Sequence, residues 1–171
     1  MTVPHVGNYG VTEADEESDR PQVAGFIARS FSRAYSNHRA QEGLDQYLKR
    51  AGIPGLQGID TRALVRHIRD KGAMKAVLST DGTTEADLQT RLEAWPGMNG
   101  RALAEEVSTA EPYTFASPEG ARLKVNVLDG GVKRNILRLF AAAGAQVRVF
   151  PAATRAEDLQ QDADLVFLSN G

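Results

Sequence analysis

From residue 123 onward the chain alternates short apolar runs with helical stretches, and this alternation restricts the fold more than any other feature. Residues 123–128 form an apolar run, Gly130-Gly131 a turn, and residues 132–143 a helical stretch predicted to turn Ile136, Leu137, Leu139 and Phe140 inward. Gly144 stops that helix. A second apolar run follows at residues 146–150, then Thr154, placed to cap a short helix containing Leu159, then a third run at residues 165–168. Strands joined through helices pair in parallel, so the pattern predicts β-α-β-α-β, the opening of a doubly wound sheet. Parallel sheets normally have both faces covered and more than three strands. This carboxyl-terminal piece is therefore expected to be the less stable half of the chain, with an apolar edge open to self-association.

The first half is also legible as α/β, with weaker periodicity. Residues 1–18 read as loop and residues 23–29 as a strand. Residues 43–51 carry Leu44, Tyr47 and Leu48 at helical spacing, with Gly52 as a stop. Asp60 is placed to cap a helix that buries Leu64, Val65 and Ile68, presents Arg62, Arg66 and Arg69 on another face, and ends at Gly72. Residues 74–79 read as a short strand. Thr84, with Asp87 three residues on, opens a further helix running to about Trp95. Residues 108–120, with Pro112 and Pro118 around a short aromatic piece, read as a connector. The expected organisation is one α/β domain over residues 1–116, a linker at 117–122, and the start of a second domain at 123–171.

Composition removes several function classes. At 171 residues, 42% apolar and 25% charged, the chain can bury a core without disulfides or metal. It has no cysteine, which excludes a thiolate metal site or a cysteine nucleophile within these residues. The three histidines, His5, His38 and His67, show no metal-ligand spacing, and no metal site is expected. A net charge of −2 gives no general attraction to nucleic acid or anionic membrane. No apolar run approaches the ~20 residues of a membrane helix. Met1-Thr2-Val3-Pro4-His5 lacks the basic start of a signal peptide, so a cytoplasmic protein is expected. The acidic run Asp15-Glu16-Glu17-Ser18-Asp19 lacks the spacing of a calcium loop and reads as a solvated segment.

Two segments stand where chemistry is expected. Asp129-Gly130-Gly131-Val132-Lys133-Arg134 lies at a strand-to-helix turn, which either approaches an anion or is simply tight; it matches neither a dinucleotide fingerprint nor a P-loop. Ser169-Asn170-Gly171 follows the third apolar run, at the carboxyl end of a strand, where ligands of open α/β sheets bind and where a backbone N–H can face an oxyanion.

A set of ordered motifs resembles the small subunit of carbamoyl-phosphate synthetase. They are Pro4-His5-Val6-Gly7-Asn8-Tyr9-Gly10, Ala14-Asp15-Glu16-Glu17-Ser18, Tyr47-Leu48-Lys49-Arg50, Gly58-Ile59-Asp60-Thr61-Arg62, Pro96-Gly97-Met98-Asn99-Gly100, Val107-Ser108-Thr109-Ala110-Glu111, Lys133-Arg134-Asn135-Ile136-Leu137-Arg138 and Phe167-Leu168-Ser169-Asn170-Gly171. The resemblance implies a small-subunit amino-terminal α/β domain followed by the truncated start of a parallel, flavodoxin-like class I glutamine amidotransferase domain. It implies that a cysteine in that domain hydrolyses glutamine, and that ammonia passes to the large synthetase subunit. There ATP, with magnesium expected beside it, drives carbamoyl phosphate formation for arginine and pyrimidine synthesis. No cofactor is implied for this chain itself, and no catalytic residue.

Of the family's glutamine-binding positions, only Gly171 is carried over. The family pattern continues past Gly171 into a Pro-Gly-Asp-Pro loop and the nucleophilic cysteine, and it has an earlier stretch that supplies a serine. Neither is present, so the chain is expected to be a fragment, inactive as a glutaminase by itself. Asp129-Gly130-Gly131 also departs from the more usual aromatic-glycine turn at this place.

Overall fold

A computed structural model describes residues 2–170. Packing divides the chain into two units, Met1–Gly97 and Met98–Gly171. Both interleave strands and helices, as an α/β fold does.

The first unit is built on a three-stranded sheet, β1 (Thr2–Val6), β2 (Phe26–Phe31) and β3 (Gly55–Gln57), ordered β1-β2-β3 and parallel throughout. Helix α1 (Leu44–Arg50) makes the crossover between β2 and β3, and α2 (Thr61–Lys71) packs on β1 and β2. Phe26, Ala28 and Leu48 are the buried apolar residues, with the Phe26 and Phe31 rings 5.9 Å apart. The helix ends follow local chemistry. Asp60 Oδ1 accepts the Ala63 N–H at 2.9 Å, and α2 stops at Gly72, whose φ of 85° a side chain would resist. Thr84 Oγ1 accepts the Asp87 N–H at 3.3 Å and opens α3 (Glu85–Ala94).

Three expectations for this unit are corrected. The loop reading of residues 1–18 misses β1, whose partner β2 is more than twenty residues away and whose Pro4 and His5 are poor strand formers. Residues 74–79 are not a strand: among the described residues they join no ladder, and Met74 and Val77 stay exposed. The stripe on α2 has the right spacing but is not buried, since Val65 is 37% and Ile68 39% exposed.

The second unit begins with α4 (Leu103–Val107) and carries a four-stranded sheet. Its strands are β4 (Tyr113–Ala116), β5 (Lys124–Asp129), β6 (Gln146–Pro151) and β7 (Leu165–Leu168), in the order β4-β6-β5-β7. β6, β5 and β7 are parallel, in register through Val125↔Val147 and Val125↔Leu165, while β4 runs antiparallel to β6. Helix α5 (Arg134–Ala142) connects β5 to β6, and α6 (Ala156–Gln160) connects β6 to β7. Val125, Val127, Leu137, Ala145, Val147 and Val149 form one buried cluster, and Phe140 meets Phe167 edge-on at 5.4 Å. Inside β5, Asn126 is 1% exposed and donates from Nδ2 to Leu159 O at 2.8 Å and Gln161 O at 3.1 Å, tying the end of α6 to the sheet.

The strand-helix alternation read from the sequence is present from β5 to β7. Its details differ in three places. Leu139 is 63% exposed, because α5 buries Leu137 and leans on Phe140, which puts position 139 on the outer side. The α6 cap residue is Arg155, without a side-chain cap bond, and Thr154 instead donates its N–H to Pro151 O. The stretch read as a connector contains β4. The contiguous apolar core lies in the second unit, while α2 of the first is largely solvated.

Candidate functional site

In the order β6-β5-β7, the strand after β5 is laid on one side and the next on the other. The carboxyl ends of β5 and β7 are thus the switch point of the sheet, the place where ligands of open α/β sheets bind. Asp129 and Gly130 stand at one lip of that junction, Ser169 and Asn170 at the other. They are joined directly: the Gly130 N–H donates to Ser169 Oγ at 2.8 Å, and the Ser169 N–H donates to Leu128 O at 3.1 Å.

Asp129 organises this lip. Only 7% exposed, it accepts the Gly131 and Val132 N–H groups on Oδ1, both at 2.9 Å, and the Thr109 N–H on Oδ2 at 2.8 Å. Three donors that an anionic ligand would otherwise use are thus held by the protein's own carboxylate. An external anion at this turn would meet that carboxylate at close range. Of the two readings of the Asp129-to-Arg134 turn, the geometry favours the tight turn. Gly131 has a φ of 110°, and a Cβ there would lie 3.1 Å from Val107 Cγ2, so a side chain would be strained and tightly packed. Beside it, Ser108 Oγ accepts the Ala152 N–H at 2.8 Å. Residues 108 and 109 therefore tie the ends of β5 and β6 together. Lys133 precedes the first residue of α5 as its cap position and makes no side-chain cap bond.

Gly171, the one residue expected to bind glutamine, lies outside the described residues. Ser169, part-buried, and Asn170, exposed, follow the carboxyl end of β7. Ser108 and Thr109 were legible only as part of a family motif. Nothing local in the sequence signals that their polar atoms close the turn twenty residues away.

The other candidates are not drawn into a site. His5 Nδ1 lies 2.7 Å from Ser30 Oγ, and Asp15 of the acidic run pairs with Arg39. Asp45 pairs with Lys49 at 2.7 Å. Among the described residues no group of three or more His, Asp or Glu side chains is placed to hold a metal, and no helix is long and apolar enough to cross a membrane. Arg62, Arg66, Arg69 and Lys71 sit on the exposed surface of α2.

The first unit has a cleft of about 840 Å³, which the sequence did not announce because distant segments build it. Phe31, Leu44, Leu48 and Leu78 supply apolar lining, and Arg33 and Asp81 polar lining. The hydroxyls of Ser79 and Thr83, then the Thr83 N–H, hold the Asp81 carboxyl well below the usual carboxylate range.

Taken together, the two units define a class: an α/β protein whose second unit carries a parallel β6-β5-β7 sheet with its switch point between β5 and β7. Residues 1–78 match the family model described as carbamoyl-phosphate synthase small chain, CPSase domain. The carbamoyl phosphate synthase small chain of Synechococcus sp. is 45% identical over 183 residues, a match that takes in 100% of this chain and 47% of the relative. That of Chlorobaculum tepidum is 45% identical over 172 residues, again across 100% of this chain and 47% of the relative. That of Escherichia coli O6:H1 is 40% identical over 187 residues, 100% of this chain and 49% of the relative. The chain belongs to the carbamoyl-phosphate synthase small-chain family. It spans about half the length of the curated relatives it matches.

Proposed function

We propose that this chain is the part of a glutamine-dependent carbamoyl-phosphate synthetase small subunit that sets up, but does not itself perform, glutamine hydrolysis. The observation that carries this reading is similarity running through both units to proteins named as small chains, over 100% of this chain. In the whole subunit, a cysteine outside these residues would attack the glutamine amide. The backbone following Ser169 and Asn170 would hold substrate or oxyanion, with Gly171 as the contributing N–H. Asp129, Thr109 and Ser169 act here as positioning residues: they fix the lip against which that loop folds. Ammonia would then pass to the large subunit, where ATP and its magnesium are used to make carbamoyl phosphate in the cytoplasm, for arginine and pyrimidine synthesis. This chain takes no cofactor in that scheme.

Because the 171 residues contain no cysteine, the chain alone is expected to show no glutaminase turnover, with or without the large subunit. The test is ammonia release from glutamine by the purified chain. Turnover that survives removal of any contaminating full-length enzyme would refute the reading.

A second role, as a non-catalytic module docking on the large subunit, is favoured by the family-domain match at residues 1–78 and by the exposed Val65, Ile68 and Arg66 on α2. A pull-down with the large subunit separates the two. Binding lost on Ile68→Asp supports docking through α2; no binding at micromolar concentration eliminates it.

A further inference from the structure

The asparagines differ in how readily their side-chain amide can react with the next backbone nitrogen. Asn126 lies inside β5, 1% exposed, with Nδ2 donating to Leu159 O and Gln161 O. Asn135 sits within α5 and is followed by Ile136. Asn37 accepts the Arg39 N–H on Oδ1 at 3.1 Å and precedes His38, and Asn8 precedes Tyr9. Asn99 is exposed, lies outside helix and strand, and is followed by Gly100. Residues 98–101 form a turn closed by the Arg101 N–H to Met98 O at 3.3 Å, beyond the usual N–H···O range. Gly100 takes the third position with a φ of 79°, as a type II turn requires, and nothing lies within 4 Å of where its Cβ would be.

We propose that Asn99-Gly100 is a modification site, where asparagine converts to aspartate and isoaspartate through a cyclic imide. The Gly100 nitrogen, giving up its proton to water, attacks Asn99 Cγ. The N–Cγ bond forms, the Cγ–Nδ2 bond breaks, and ammonia leaves with a proton returned by water. A water molecule then opens the ring. Attack at Cγ restores the ordinary peptide with an aspartate side chain; attack at the main-chain carbonyl carbon leaves the chain running through Cγ as isoaspartate. The balance is one amide and one water to one carboxylate and one ammonium, with nothing oxidised or reduced. Ring closure requires rotation about the Asn99 Cα–C bond until the two atoms meet. A side chain on the next residue would oppose that rotation and shield the nitrogen; Gly100 does neither, and the turn gives up only a long hydrogen bond. Asparagine is among the thermolabile residues. Both reacting groups are adjacent in the chain, so the step needs no ligand and no vacant surface. The product adds one negative charge to the net −2 of the chain, just past Gly97, where the first unit ends.

The 171-residue chain, incubated at mildly alkaline pH and digested with trypsin, tests it. The peptide of residues 92–101 should gain the mass of an acid over an amide and split into two forms, of which the isoaspartate form is labelled by an isoaspartyl methyltransferase. Its rate should exceed those at Asn8, Asn37, Asn126 and Asn135 at least tenfold. Asn170-Gly171 shares the dipeptide and is read in a separate peptide. Gly100→Ala should slow the step at Asn99 at least tenfold. The rate in the folded chain should stay within fivefold of that in the guanidinium-unfolded chain, because the turn restrains Asn99 so little. An unchanged 92–101 peptide, a rate no greater than at the other four asparagines, protection by folding beyond fivefold, or full reactivity in Gly100→Ala would overturn the proposal.

Discussion

Asp129→Ala should loosen the second unit far more than an ordinary surface substitution. The carboxylate accepts three backbone N–H groups, those of Gly131, Val132 and Thr109, at part-buried positions. A buried donor left without an acceptor costs about 1–3 kcal/mol; at part-buried sites the lower end applies, so three lost acceptors cost about 3–5 kcal/mol. Asp129→Asn gives an internal control. Its remaining carbonyl oxygen can still serve Gly131 and Val132, while its amide N–H₂ opposes the Thr109 N–H, so roughly half that cost, about 1.5–2.5 kcal/mol, is expected. Because the chain packs as two units, a single global melting curve does not isolate the effect. Native-state hydrogen exchange on the Val125, Asn126 and Val127 amides does, since it reads the opening free energy of β5 itself. A comparison substitution, Asp164→Ala, removes one exposed contact to the Lys124 N–H and should cost less than ~1 kcal/mol. The reasoning fails if Asp129→Ala lies within ~0.5 kcal/mol of the parent, or if Asn is as damaging as Ala.

Other expectations follow from the same contacts. Gly131→Ala should destabilise β5 by about 2–3 kcal/mol, combining left-handed strain with the contact to Val107. Gly144→Ala, with a φ of 82° and nothing near its Cβ, should cost only the ~1–2 kcal/mol of strain, and equal values from urea titrations would discount the steric part. The Asp81 carboxyl should titrate below an ordinary aspartate by carbon NMR and move back up in Ser79→Ala and Thr83→Ala. Its folded pKa is depressed, so its stabilisation of the 79–83 turn is complete above the unfolded value of ~3.9 and is lost as pH falls through the folded value. Loosening of that turn at pH 5–7 would contradict the assignment. The β5 amides should exchange more slowly than those of residues 64–68 in α2, because the core lies under β5 while Val65 and Ile68 face solvent.

Amino-acid order alone determined the features that depend on near neighbours. Asp60 and Thr84 cap their helices through N–H groups three residues ahead, and Gly72 ends α2. The alternation from β5 to β7 followed from hydrophobic spacing, because each strand or helix there is a continuous segment with its own period. That Asp129 and Ser169 follow the carboxyl ends of strands was foreseeable on the same ground, since strand ends are positions along a chain.

The tertiary structure decided whatever needed a distant partner. β1 exists because β2 offers it a ladder, and β4 because β6 does; neither Pro4-His5 nor Tyr113-Thr114 carries that information locally. Residues 74–79 have strand-like composition, yet they join no ladder. The apolar stripe of α2 and the side chain of Leu139 have helical spacing identical to buried positions, yet they lie exposed, because spacing fixes which residues share a face and only packing fixes whether that face is covered. The turn at Asp129 depended on the same distinction: glycines and cations suggested an anion site, and a hydrogen bond from Thr109, twenty residues earlier in the chain, helped fill it with the protein's own carboxylate.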